Sequence, residues 1–175
     1  MTRQFAAGAY AATFDTDGAV GAAAGKGEGA QPLGLVQDIY WWRRSIAAVP
    51  VRSNLVADMP LDALYTGGDC FCRFTVKEWN PATRAMLWPF DEAMGTIGPI
   101  GARLSHYAGQ LTLTAEAGTL AAEHGPAVLR FGKAILAPAT ESEIPLGRVE
   151  RDVPVLLQCF PYVTPGGNRV WFETD

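Results

Sequence analysis

Three cysteines and two histidines are the residues of this chain best suited to hold a soft metal, because thiolate and imidazole are the usual ligands of zinc. A structural zinc site sets its paired cysteines two or more residues apart in a tight knuckle, whereas Cys70 and Cys72 flank a single residue. On an extended backbone the two share one face with Phe74 and Val76, too far apart to bridge comfortably. Cys159 alternates with Val155 and Leu157 in the same manner. The spacing predicts three buried core thiols and no ligand set with His106 or His124.

Hydrolytic chemistry would require paired carboxylates, or a nucleophile with a base. The candidates are Asp58 with Asp62, Glu141 with Glu143, and Ser105 beside His106. Each lies in a segment that also reads as a solvated turn, where acids and serines are ordinary. Gly25-Lys26 invites a phosphate-loop reading, but Val20 stands where the first glycine should be and Gly27 where Ser or Thr should follow the lysine. No catalytic residue, metal or cofactor is expected, and an enzyme is not predicted. Five tryptophans leave two other possibilities, a sugar-binding platform or anchors for a protein interface. Consecutive strand residues face opposite sides, so one of Trp41 and Trp42 is predicted to meet a partner or a second layer. With Arg43 and Arg44 they are candidate interface residues.

The elements that carry these residues are strands. Nineteen glycines and twelve prolines in 175 residues punctuate the chain with turns and leave little room for long helices. Residues 58–79 show this most clearly: a proline-bearing polar turn passes through Gly67-Gly68 into a strand that puts Cys70, Cys72, Phe74 and Val76 on one face. Arg73, Thr75 and Lys77 fall on the other. A strand is predicted over 35–46 and ended by Pro50, with a short one over 51–57. Others are predicted over 110–116, 127–131, 133–137, 153–162 and 169–173, and an N-terminal strand or arm before Phe14. Asn80 as cap, Pro81 at the first position and good helix formers up to Pro89 predict one short helix. The expectation is a single mainly β domain over 1–175, an antiparallel sandwich or barrel of about eight or nine strands with one flanking helix. Residues 15–34, built of Gly, Ala and short polar side chains, are predicted to form a long flexible loop.

The formal charge of −4 comes with no basic run longer than Arg43-Arg44, so a phosphate-gripping surface is not predicted. No apolar run is long enough to span a membrane and the start lacks a signal-peptide core, so a soluble cytoplasmic product is expected.

Taken in order, DMPLDALYTGG, the strand closing on Lys77-Glu78-Trp79, the helix NPATRAMLWPF, the turn GTIGPIG, the strand LTLTAEAGT and then AILAPATESEIPLGRVERDVPVLLQCFPY resemble phage tail tube proteins and related virion tail proteins. The resemblance covers residues 33–163, and AILAP and RDVPV carry it furthest. It implies a β-sandwich or barrel whose subunits form hexameric rings, stacked into a hollow tube lined by the joined sheets. The implied partners are further copies of the chain and other tail proteins: sheath or terminator, and baseplate. DNA would pass through the acidic lumen without specific binding. The implied location is the virion tail, assembled in the host cytoplasm. A tail terminator or a baseplate adaptor is the alternative within the same fold, and a carbohydrate-binding β-sandwich is the alternative outside it. On the tube reading the 15–34 loop, with Lys26 and Glu28 as candidate contacts, reaches a neighbouring subunit.

Overall fold

Alternation of apolar and polar residues, interrupted by Gly, Pro and Asn, folds here into antiparallel strands that pair both with their neighbours in the chain and with distant segments. The computed structural model describes residues 10–16, 29–52, 60–90, 98–117, 126–138 and 152–174. Its strands are β1 (Tyr10–Asp15), β2 (Ala30–Pro32), β3 (Val36–Arg52), β4 (Pro60–Val76), β5 (Gly109–Ala115), β6 (Val128–Leu136), β7 (Val153–Cys159), β8 (Tyr162–Val163), β9 (Arg169–Val170) and β10 (Glu173–Thr174), with one helix, α1 (Pro81–Leu87). The fold is mainly β, an antiparallel sheet curled into a half-barrel and flanked by that helix. Strand order is β2-β1-β5-β6-β7-β4-β3, with β10 added to β6 and a separate β8-β9 pair.

The apolar face of this sheet is the core. Cys70, Cys72, Phe74 and Val76 of β4 are buried, together with Val153, Val155, Leu157 and Cys159 of β7, Leu111 and Leu113 of β5, and Leu129 and Phe131 of β6. Each large apolar side chain removed from water in this way stabilises the fold by about 1.5–3 kcal/mol. The helix forms as its sequence directs. Asn80 Oδ1 accepts a 2.9 Å bond from the Thr83 N–H, and Pro81 occupies the first turn, where no donor is needed. The Asn80 side-chain amide also donates to the Pro32 carbonyl, tying the cap to β2. Ala82, Met86 and Leu87 join the core cluster, and α1 contacts both β1 and β6. Because β5 lies between those two strands, the helix must cross the apolar face of the sheet.

Several expected boundaries move. The strand predicted over 35–46 does not stop at Pro50 but runs to Arg52, with Pro50 in register opposite Ala63, and this absorbs the start of the strand predicted over 51–57. β3 is the outermost strand, where a proline's missing N–H need not cost a ladder bond. Likewise Gly67-Gly68 is no turn: both glycines are rungs of β4, opposite Ala47 and Ile46. Gly67 has φ of 140°, in the region that favours glycine, next to a shift in register. The strands expected over 127–131 and 133–137 are one, and Gly132 within it leaves room for the Tyr162 ring, from which a β-carbon there would stand 2.7 Å. Conversely the strand expected over 153–162 breaks at Phe160-Pro161 into β7 and β8. Within the stretch predicted as a loop, Asp15 and Ala30–Pro32 belong to the sheet and Leu33 is fully buried, while 17–28 lie outside the described residues.

Candidate interaction surface

β3 and β4 are each 17 residues long, more than twice the length of β7, on which β4 is laid. The β4–β7 ladder ends at the Cys70–Cys159 rung. From Asp69 back to Pro60, β4 pairs with β3 alone, so the two strands leave the sheet together as a two-stranded arm. Register shifts at Gln37/Tyr40, Arg43/Ser45, Ala47/Ala48 and Val51/Arg52 punctuate the ribbon. Such bulges bend and twist a strand and guard an open edge against indiscriminate pairing. The first of them brackets Asp38, which adopts φ of 53°.

The outer arm is apolar and wet. Val49 is 54% exposed, Val51 37%, Leu64 61% and Tyr65 58%, and every described residue from Ala48 to Arg52 and from Asp62 to Thr66 lies at the surface. An isolated two-stranded hairpin is at best marginally stable in water, and a cluster of exposed large apolar residues marks a contact surface. At its base, Tyr65, Gly67 and Gly68 face Pro161, Arg169 and Trp171 across an open groove of about 550 Å³.

The residues singled out in the sequence take these places. Trp41 lies opposite Cys72, Trp42 opposite Phe71 and Arg43 opposite Cys70, while Arg44 falls at the register shift that follows, so all four sit on β3 where the arm departs from the sheet. Lys26 and Glu28 lie outside the described residues, as do Asp58, His124, Glu141 and Glu143. Asp62 is on the arm, its carboxylate accepting a 2.7 Å bond from the Ala63 N–H. His106 ends a short 3-10 turn and borders a cavity of about 150 Å³ with Phe14, Thr16, Met86, Phe90 and Tyr107. No carboxylate is among the described residues lining that cavity. Trp79 and Trp88 meet edge to face at 6.0 Å, and with Trp171 they pack, partly buried, against the core.

The cysteines sit where the spacing predicted, on the apolar face. Burial, with Cys70 alongside, pushes the Cys72 thiol up to about 12. A hydrogen bond with the Cys70 thiol, followed by burial, holds Cys159 well above the ordinary thiol value. Neutral thiols of this kind are poor nucleophiles and poor metal ligands. Among the described residues no group of three or more His, Cys, Asp or Glu is placed to hold a metal ion.

The sequence signal for the arm is the β-branched and aromatic content from Val36 to Val49 continuing into Val51, which Pro50 obscures. Compared with known proteins, the sequence matches no family model and no curated protein.

Proposed function

We propose that this chain is a structural subunit of a phage tail tube that assembles with copies of itself into stacked hexameric rings, the conduit for DNA ejection. The observation that supports the reading best is the β3–β4 arm. It is a long two-stranded ribbon with Val49, Val51, Leu64 and Tyr65 exposed, attached to a sheet whose outermost strand, β3, has no partner beyond it among the described residues. A second copy is the occupant that serves both features. One strand edge can be extended by another chain's strand, and an apolar ribbon gains stability when laid on a neighbouring surface. Contacts of this head-to-tail kind, repeated by rotation, close into rings. The resemblance over residues 33–163 points the same way, and it equally admits a tail terminator or baseplate adaptor. The acidic balance suits a lumen that repels DNA.

Negative-stain microscopy of the concentrated protein, with sedimentation in parallel, tests the proposal. Rings or tubes are expected for the parent, and Leu64→Asp should reduce them at least ~10-fold while leaving the circular dichroism spectrum unchanged. A protein that stays monomeric at every concentration, and is absent from tail particles, would sink the reading.

A further inference from the structure

Cys70 and Cys159 stand directly opposite each other on the β4–β7 ladder, 1% and 2% exposed, with their thiols hydrogen-bonded. Directly opposed residues of an antiparallel pair hold their β-carbons about 4.5–5.5 Å apart, and a disulfide needs roughly 3.5–4.5 Å, so a small closure of one rung suffices. Cys72 offers no competing bridge. It is opposite Leu157, and as the second residue along the same strand it lies roughly 6.6 Å from Cys70 along the backbone. All three cysteines are reduced. The rung is also the last at which β4 has a neighbour on both sides, which makes it the root of the arm.

We propose that Cys70 and Cys159 form a modification site, a cross-strand disulfide installed by a small disulfide oxidant that locks the root of the arm to the sheet. One cysteine, as its thiolate, attacks a sulfur of the oxidant, forming a mixed disulfide and expelling one small thiolate. The second cysteine then attacks the protein sulfur of that mixed disulfide and expels the other. Two protein thiols lose two protons and two electrons, and the oxidant is reduced to two thiols that take up those protons. The reaction is slow near neutrality because both sulfurs are buried and the Cys159 thiol is held neutral, and it quickens as pH rises. This site stands independently of the tail-tube reading.

The test is incubation of the folded protein with bis(2-hydroxyethyl) disulfide at pH 7 and pH 9, followed by intact mass, thiol counting in denaturant and proteolytic mapping. One thiol of the three should remain reactive. The mass should fall by two hydrogens, and the crosslink should join β4 to β7 within one chain. Cys72→Ala should form the same link at a similar rate, and Cys70→Ala should form none. Dithiothreitol should restore all three thiols. Three thiols still reactive after prolonged incubation at pH 9, stable hydroxyethyl adducts without a crosslink, or a link through Cys72 would each overturn the proposal.

Discussion

At the level of single residues, burial holds the Cys72 thiol neutral, and a hydrogen bond with Cys70 followed by burial does the same for Cys159. Cys72 is buried beside Cys70 and its thiol is pushed up to about 12 from an ordinary value of 9.0. Above that ordinary value an unfolded chain releases a proton that the folded chain retains, so alkali favours unfolding. The stabilisation is complete below pH 9.0 and is lost as pH rises toward about 12. Over that window one such group changes stability by roughly 1.4 kcal/mol per pH unit. Urea midpoints measured from pH 7 to pH 11 should therefore hold level and then fall, and Cys72→Ala should fall less steeply from a lower start. Parallel slopes for parent and variant would contradict the assignment.

Among the elements, β3 and β4 show both how far the sequence could be read and where it misled. Cys70, Cys72, Phe74 and Val76 were recognisable as one buried face because a period of two is a local property, and α1 was recognisable because Asn80 and Pro81 are local signals. Pro50 misled because its meaning depends on where its strand lies in the sheet, a fact settled by pairing with residues far away in sequence. Gly67-Gly68 misled for the same reason, since a glycine pair marks a turn only when no partner strand holds it extended. The Cys70–Cys159 rung had no local signature at all. Replacing residues 48–66 with Asn-Gly, a sequence suited to a tight hairpin turn, should close the ribbon at the Ala47–Gly67 rung. The shortened protein should keep its unfolding free energy within about 0.5 kcal/mol, because the described residues of the removed segment contribute none to the core, and should no longer self-associate. A large loss of stability would show that the arm supports the subunit itself.

At the scale of the whole molecule, the strand order among the described residues leaves two unequal edges: β2, three residues long, and β3, seventeen. Most of the edge available to a neighbour therefore belongs to β3. Beside β2, the pairing of Thr13 with Pro32 and of Asp15 with Ala30 fastens β1 to β2 through their own rungs. Deleting residues 20–28 should accordingly spare folding of the monomer and lower the yield of assembled particles several-fold in a pelleting assay. Equal yields from deletion and parent would remove that segment from the list of contacts.

The arm also acts as a lever. From the Cys70 rung to Pro60 it spans roughly ten residues at about 3.3 Å each, an overhang of roughly 30 Å. That is about twice the ~15 Å radius of gyration expected for a chain of this length. A tilt of about 10° at the root would move the far end by roughly 5 Å, about the spacing between neighbouring strands. Small adjustments at a single rung could thus decide which strand of an adjacent molecule the distal ribbon meets.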